Sequence, residues 1–323
     1  MKHTLKVTLV ILAMFLITQI IGLAVIKTYT TGWHVQEEVN GQIVKSNITR
    51  EIPYGLAPPE AKPEVSLVSI VIAIVVATIL IILLTRVRAT MFIKVWFAFV
   101  VLITLAVTFA TLIHPYIALA VAAILTYIKI WRRDLIVHNA TELLIYPGLA
   151  TIFVPILNIF TTILLLLLLS VYDFYAVIKS KHMIEMAKFQ MKELKIFTGF
   201  FLPYAKKEDL EKLRKIQELE KKRLKEAKAK GKKLKEIPGK EKIKVNVAIL
   251  GGGDVAFPLI FAGVVLNSGY GFLGGLIIAL FSTLALFYLL LTARKGKFYP
   301  AMPFISAGSL IGFLIVWFLV GVL

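Results

Sequence analysis

Two aspartates lie inside long apolar runs, where a carboxylate is poorly tolerated. Asp173 lies within Ile163–Ile178, and Asp254 lies within Val245–Leu266. Three glycines directly precede the second aspartate: Gly251, Gly252 and Gly253. A carboxylate in hydrocarbon costs free energy unless it is paired, protonated or facing water, so each aspartate is a functional candidate. The alternative is that each makes a structural polar contact between two helices.

Two carboxylates on separate apolar runs could act together. If they lie a few ångströms apart they cannot both ionise, so one keeps its proton and the pair titrates as a unit. The ionised carboxylate can then take a proton from water while the protonated one polarises a carbonyl, which is the chemistry of aspartic proteases. Such a site also needs water, so the two runs would have to line a wet cavity.

The composition indicates a membrane protein. Of 323 residues, 59% are hydrophobic and the mean hydropathy is +0.84, whereas soluble domains are about 45–50% apolar. Because a helix needs about 20 apolar residues to cross a bilayer, we expect an all-α polytopic membrane protein with about nine transmembrane helices. The expected spans are residues 5–26, 66–84, 92–113, 115–130, 137–155, 157–179, 244–266, 271–293 and 300–322.

Several other site types lack their residues. The chain has no cysteine, which removes disulfides, thiol nucleophiles and cysteine metal sites. Its five histidines form no His-Glu-x-x-His zinc site, and there is no Gly-x-Ser-x-Gly elbow. We therefore expect no metal and no cofactor. The first span has a basic start but a long apolar stretch without a cleavage site, so we interpret it as a retained span.

Basic residues near the span ends set the predicted orientation, because Lys and Arg concentrate in cytoplasmic loops. They recur in every second connection: Lys2 and Lys6, Arg86 and Arg88, Lys129, Arg132 and Arg133, the loop after span six, and Arg294, Lys295 and Lys297. This alternation predicts a cytoplasmic N-terminus and an external C-terminus. We expect a multi-pass integral protein, in the cell membrane if the source is microbial.

Three regions follow from this arrangement. Residues 1–180 form an N-terminal membrane bundle, 181–243 a basic cytoplasmic loop, and 244–323 a C-terminal membrane bundle. Most of the formal charge of +18 lies in the loop, which we expect to be mobile and partly helical, over 206–237. A basic segment beside a membrane attracts anionic lipid. Because it lacks interleaved aromatic residues, it does not indicate nucleic-acid binding.

The two aspartates are expected at similar depths. Helical rise places Asp173 about 9 Å inside Lys179, and Asp254 about 15 Å inside Lys244. Both spans border the same cytoplasmic loop, so they run antiparallel and their carboxylates could meet. The three glycines loosen the helix before Asp254, and Pro258 disturbs it further. Simple helix packing is the alternative role for the glycines.

Three motifs resemble the presenilin and signal-peptide-peptidase family of intramembrane aspartyl proteases. Tyr172-Asp173 is similar to the family's Tyr-Asp motif on span six, and Gly251–Asp254 to its Gly-x-Gly-Asp motif on span seven. Pro300-Ala301-Met302-Pro303 resembles its Pro-Ala-Leu motif at span nine, with methionine replacing leucine. The motif order and the cytoplasmic N-terminus are presenilin-like, Pro258 is peptidase-like, and the combination most resembles an archaeal presenilin homologue.

The resemblance implies proteolysis of single-span helices within the bilayer. Asp173 and Asp254 would be catalytic, and Tyr172 an accessory group beside them. The glycines and Pro300, Ala301, Met302 and Pro303 would shape the site. Implied partners are transmembrane helical substrates and membrane lipids, and microbial family members imply that partner subunits are not required.

Two other functions are alternatives for a chain with these acids. Prepilin-type peptidases also use a Gly-x-Gly-Asp motif, but they lack the Pro-Ala-Leu element. A proton- or cation-coupled transporter could use the same acids, although no inverted repeat is visible.

His138 and Glu142, four residues apart, are expected to form an interfacial hydrogen-bonded pair. The apolar segment Phe197–Tyr204, too short to span, is expected to lie on the membrane or the protein as part of a mobile gate.

Overall fold

The computed structural model describes residues 5–30, 33–39, 42–48, 51–56, 63–87, 89–132, 134–177, 198–204, 246–293 and 299–321. Within these ranges lie nine α-helices: α1 Leu5–Thr30, α2 Pro63–Arg86, α3 Thr90–Phe109, α4 Pro115–Tyr127, α5 Leu135–Phe153, α6 Ile159–Tyr175, α7 Gly252–Val265, α8 Gly271–Thr292 and α9 Met302–Gly321. Four strands complete the described part: β1 Trp33–Val39, β2 Gln42–Ile48, β3 Gly199–Tyr204 and β4 Asn246–Gly251. The helix expected within 206–237 lies outside the described residues.

The protein is mostly helical and spans a membrane several times. Each described helix overlaps one of the expected spans. Among the described residues, six helical stretches are long and apolar enough to cross a bilayer, and one of them, Gly252–Thr292, contains both α7 and α8. The number of crossings and the orientation of the termini stay predictions.

Local capping explains where the helices begin. Asp134 accepts the backbone N–H groups of Ile136 and Val137 at the start of α5. At the start of α6, the Asn158 side chain accepts the Thr161 N–H at 2.8 Å, and the Thr161 hydroxyl accepts the Asn158 N–H at 3.0 Å. This reciprocal pair is a capping box. It separates α6 from α5 at the expected boundary between the spans 137–155 and 157–179.

The expectation of an all-α chain is wrong in two places. β1 and β2 form an antiparallel hairpin in the first loop, and β3 pairs antiparallel with β4. The expected span 244–266 therefore begins as a strand, and α7 starts only at Gly252. A short apolar run rich in β-branched residues cannot be told from a buried helix by periodicity. The depth that we expected for Asp254 assumed a helix throughout this run; that assumption is wrong, and the depth itself stays a prediction.

Helix α7 lies at the centre of the core. It contacts α1, α5, α6, α8 and α9, and its start also contacts β3 and β4. Most of its residues are buried, including Leu259, Phe261 and Val265 with no exposed surface. A helix that is apolar on every face is a buried helix. Its N-terminal turn, which carries Asp254, is thus held by several elements at once.

Candidate active site

Asp173 lies in the last turn of α6, and its side chain binds the start of α9. The residue is buried while its neighbours Tyr172 and Phe174 are exposed. Its Oδ2 accepts the backbone N–H of Met302 at 3.1 Å, and the Ala301 N–H is a second donor. The first N–H groups of a helix have no partner within it, so a carboxylate there is stabilising. Asp173 therefore acts as a cap for α9.

Asp254 lies in the first turn of α7. It is half-buried, and its carboxylate accepts the backbone N–H of Gly251, the residue before the helix. A carboxylate at the third helical position that reaches back to the capping residue is half of a capping box. The arrangement orients the Asp254 side chain toward the junction of β4 and α7.

The three glycines before Asp254 meet different surroundings. A Cβ on Gly251 would lie 3.1 Å from Asp254 Oδ2, and a Cβ on Gly252 would lie 2.8 Å from Tyr146 Oη. On Gly253 the nearest atom would be 3.6 Å away, an ordinary contact. Close approach therefore requires glycine at Gly252, and Gly251 leaves room for the carboxylate. Gly253 has no comparable constraint.

The structure brings the two aspartates together. Helices α6 and α7 are in contact, and the carboxylates of Asp173 and Asp254 are close enough to interact electrostatically. Ala301 and Met302 join them through the backbone donors to Asp173. Two acids and a set of backbone N–H donors therefore share one site. This arrangement has the parts for acid–base chemistry at a carbonyl.

The remaining residues expected at the site divide into two groups. Pro300 is buried before the start of α9, and Pro303 is the second residue of that helix, where proline is compatible with helical geometry. Tyr172, by contrast, is 54% exposed. The accessory role of Tyr172 stays a prediction.

Pro258 leaves a gap in the hydrogen bonding of α7, and α1 contributes nearby. Pro258 has no N–H, so it cannot serve the Asp254 carbonyl. Gln19, fully buried on α1, donates from Nε2 to the Val255 carbonyl at 3.0 Å. This hydrogen bond connects the first turn of α7 to α1, between residues that are 236 positions apart in the chain. Gln19 is a polar residue inside the expected span 5–26, but nothing in the sequence identifies its partner.

A second polar group missed by the sequence lies beside the first turn of α7. His138 and Glu142 do share a helical face, but their closest side-chain atoms are 4.0 Å apart. Glu142 instead pairs with Lys129 at 2.7 Å, and Lys129 is 5% exposed. The expected hydrogen bond between His138 and Glu142 is therefore wrong. Lys129 is not a solvated loop charge either, because it is buried in the π-helical turn that follows α4. The sequence signal for this polar group was Glu142, an acidic residue inside the expected apolar span 137–155.

The described residues offer no alternative centre for metal chemistry. Across the described ranges, no three or more His, Asp and Glu side chains form a group that could hold a metal ion. The candidate site therefore consists of the two carboxylates, the backbone donors of Ala301 and Met302, and the glycine junction before α7.

This geometry can be compared with known proteins. The family described as signal-peptide peptidase, presenilin aspartyl protease matches residues 57–322. The chain belongs to this family. It is therefore an aspartic endopeptidase, and its apolar helices make it an integral multi-pass membrane protein. Membership also favours this activity over that of a prepilin-type peptidase or a transporter.

Two solved structures show the same family fold. One is described as a presenilin family intramembrane aspartate protease in a C222 space group: its TM-score is 0.57 at 19% identity, over 97% of this chain and 99% of that chain. A second, described as the same kind of protease in a P2 space group, has a TM-score of 0.56 at 19% identity, over 96% of each chain. The comparison with curated proteins finds no match. The expected likeness to archaeal members stays a prediction.

Proposed function

We propose that Asp173 and Asp254 are the catalytic dyad of an intramembrane protease that hydrolyses peptide bonds in transmembrane helical substrates. The observation that carries the proposal is their meeting: two acids from different helices, distant in sequence, interact at a site that also holds the first N–H groups of α9. Intramembrane acids that serve packing alone would not need to converge. Family membership supports the same assignment.

The proposed reaction uses one carboxylate as base and the other as acid. The ionised carboxylate takes a proton from water while the oxygen of that water bonds to the scissile carbonyl carbon. The protonated carboxylate gives its proton to the carbonyl oxygen, so the intermediate is a neutral diol. The carboxyl group that took the water proton then gives it to the nitrogen, and the other carboxylate takes a proton from a diol hydroxyl. The C–N bond breaks to leave an amine and a carboxylic acid, and the dyad again holds one proton. Neither a metal nor a cofactor enters these steps.

The surroundings of each acid serve this reaction. Backbone N–H groups of Ala301 and Met302 hold the Asp173 carboxylate in one orientation, and Gly251 does the same for Asp254. Fixed donors of this kind position reacting groups without reorganisation during the reaction. In the proposal, Pro300 and Pro303 hold the start of α9, which delivers two of those donors.

The substrate is proposed to enter this site from the bilayer as a single-span helix. Its scissile amide must leave the helix before water can reach the carbonyl, so binding includes local unwinding. The dyad would join the N-terminal bundle, 1–180, to the C-terminal bundle, 244–323, across the basic loop 181–243. We expect membrane lipid to surround both bundles and the chain to act without partner subunits.

The test is cleavage of a membrane-spanning reporter by purified protein in liposomes. Asp173→Asn and Asp254→Asn are each expected to abolish cleavage while the protein stays folded, because either change removes a proton-transfer group. Asp134→Asn is the matched control. Asp134 is exposed and caps α5, and asparagine caps helices equally well, so cleavage should be unchanged.

Binding of a hydroxyl-containing transition-state analogue provides a second measurement. Such a compound mimics the tetrahedral intermediate, so wild type should bind it far more tightly than substrate, and either asparagine variant should lose that binding. The dyad assignment fails if both single variants still cleave the reporter. A transport function would show itself as proton or cation movement in the same liposomes without cleavage.

A further inference from the structure

A buried polar cluster on α5 lies next to the candidate site and has no part in the proposed reaction. Its centre is Glu142, which is 1% exposed. Glu142 Oε1 accepts from Lys129 Nζ at 2.7 Å, and Oε2 accepts both the Gly199 N–H at 3.1 Å and the hydroxyl of Tyr146. One carboxylate thus joins the turn after α4, the start of β3 and the middle of α5.

The charges in this cluster balance each other. Lys129 Nζ also donates to Thr141 Oγ1 at 3.1 Å and contacts His138 Nδ1 at 3.2 Å. An ammonium group can only donate, so His138 Nδ1 must accept, and Nε2 must carry the ring hydrogen. That hydrogen is donated to the Gly199 carbonyl at 2.9 Å. A buried ion pair often contributes little net stability, so its presence calls for another explanation.

The cluster occupies one edge of β3. Both backbone groups of Gly199 are bound by α5 side chains, the N–H by Glu142 and the carbonyl by His138. Phe201 lies two residues after Gly199 and is bound by Asn139 of α5. Asn139 Nδ2 donates to the Phe201 carbonyl at 2.9 Å, and Oδ1 accepts the Phe201 N–H at 3.0 Å. Side chains of α5 therefore take the place of a third strand. The other edge of β3 pairs with β4, where Gly199 lies opposite Gly251.

The same carboxylate reaches α7 by a second route. Glu142 binds the Tyr146 hydroxyl, and this hydroxyl lies close to Gly252: a Cβ added at Gly252 would be only 2.8 Å from it. The Tyr146 ring also packs edge-on against Phe200 of β3. Gly252 precedes Asp254 by two residues. Glu142 is therefore connected to the first turn of α7 through the paired strands and through Tyr146.

We propose that Glu142, held by Lys129 and acting through Tyr146 and β3, positions the first turn of α7 and with it the Asp254 carboxylate. The inference rests on the proposed function in one respect, namely that Asp254 is catalytic. Glu142, Lys129 and Tyr146 are positioning residues: Glu142 and Lys129 reach Asp254 through Tyr146, Gly252 and the paired strands, and Tyr146, which is close enough to Asp254 to interact with it electrostatically, contacts Gly252 in the same turn of α7. The competing explanation is that the ion pair only stabilises the bundle.

A pair of phenylalanine variants separates these explanations. Tyr146→Phe keeps the ring and removes the hydroxyl that binds Glu142. Tyr29→Phe is the matched control, because Tyr29 is equally buried, and its hydroxyl donates to the Val107 carbonyl at 2.9 Å between α1 and α3, away from the site. Both variants lose a buried tyrosine hydrogen bond, but the bond to the Glu142 carboxylate is charge-assisted, so Tyr146→Phe should lower the melting temperature more than Tyr29→Phe.

The deciding measurement is amide hydrogen exchange across Ala248–Ala256, which covers β4 and the first turn of α7. Tyr146→Phe should speed exchange in this segment by about 10-fold, and Tyr29→Phe should leave it unchanged. The inference is overturned if the segment exchanges alike in both variants. Because this measurement does not require cleavage, it holds even if the proposed function fails. Failure of the proposed function would appear separately, as cleavage by the aspartate variants.

Kinetics give the second readout. In Tyr146→Phe, kcat should fall about 10-fold or more while KM stays within about 2-fold, since misplacing Asp254 affects the reaction step and not the binding surface. Tyr29→Phe should change neither constant by more than about 2-fold. Equal kcat values in the two variants would contradict the inference.

A double variant tests the role of the charges. Glu142→Gln alone leaves Lys129 buried without its partner and should destabilise the protein. Lys129→Met combined with Glu142→Leu removes both charges and should be more stable than Glu142→Gln alone, because no unpaired charge stays buried. Its kcat should stay low, because a leucine side chain cannot accept from the Gly199 N–H or from the Tyr146 hydroxyl, both of which bind Glu142 Oε2. Recovery of kcat together with stability would show a purely structural role.

Discussion

The glycines before Asp254 differ at the scale of single residues, although the motif presents them as equivalent. Gly252 is buried against the Tyr146 hydroxyl, whereas Gly253 is exposed. The Tyr146 hydroxyl cannot easily move aside, because it is bound to Glu142 and the residue is 4% exposed. Only Gly252 is therefore under a strict steric requirement.

Alanine at these two positions gives a direct prediction. Gly252→Ala should reduce kcat by about 10-fold or more, because the first turn of α7 must shift and carry Asp254 with it. Gly253→Ala places its methyl group 3.6 Å from Phe257, an ordinary contact, and should leave kcat within about 2-fold of wild type. The measurement is reporter cleavage at saturating substrate, with melting temperature recorded for both. Equal activities would show that the Tyr146 contact is unimportant.

At this scale the sequence predicts the reacting groups better than their supports. Asp173, Asp254 and the Pro300–Pro303 motif stand out because their types are unusual within apolar runs, and the structure brings the two carboxylates together with the start of α9. Gln19 and Lys129 are also polar residues inside expected spans, but their types do not identify their partners. Their partners lie 236 and 13 residues away, so only the folded chain reveals the contacts.

At the scale of elements, β3 and β4 form the main departure from expectation. The apolar segment Phe197–Tyr204 was expected to lie on the membrane or the protein, and its described part packs on α5, α1 and α7 as β3. Pairing of distant strands depends on tertiary contacts, which override local pattern. Pro203 is compatible with strand β3, because its missing N–H lies on the same edge as the N–H groups of Gly199 and Phe201. This edge faces α5 and does not pair with β4. The proposed gate motion stays a prediction.

Gly199 is the element-scale test of this sheet. Its φ is +119°, and a Cβ there would lie 2.1 Å from the Leu250 carbonyl oxygen. Gly199→Ala should therefore break the pairing beside Gly251, lower the melting temperature and reduce cleavage by about 10-fold or more.

Gly55→Ala is the control for backbone strain. Its φ is +70°, but nothing lies within 4 Å of the added Cβ. It should cost only about 1–2 kcal/mol of stability and leave cleavage near wild type. If Gly55→Ala impairs cleavage as much as Gly199→Ala, strain alone would explain the effect and the sheet would not be specifically required.

At the scale of the whole molecule, the fold encloses α7 with five other helices. Small residues allow this close packing: a Cβ on Gly22 of α1 would lie 2.4 Å from Leu259, and one on Gly263 would lie 2.7 Å from Ile26 and Val154. Apolar runs and loop charges predict such a bundle, but they do not show which helix lies at its centre. That position depends on contacts along every face of α7, which no single-helix pattern contains.

The orientation of the bundle can be tested because the chain has no cysteine. Single cysteines introduced as Ser46→Cys, Leu112→Cys and Ser180→Cys provide three probes for a membrane-impermeant maleimide. The loop charges predict that the first two react from outside and that the third reacts only from the cytoplasmic side. Labelling of right-side-out and inverted vesicles gives the answer. Reaction of Ser180→Cys from outside would reverse the predicted topology.

The bond between Asp173 and Met302 has a consequence for how variants are interpreted. It joins residues 129 positions apart, so the start of α9 depends on a side chain from α6. Asp173→Ala would remove an acid and uncap a helix together, and its inactivity would be ambiguous. Asp173→Asn keeps one oxygen for the backbone donors at the start of α9 and removes the ionisable carboxyl group. The two substitutions therefore measure different quantities, and their difference in stability reports how strongly the terminal helix relies on the reacting group.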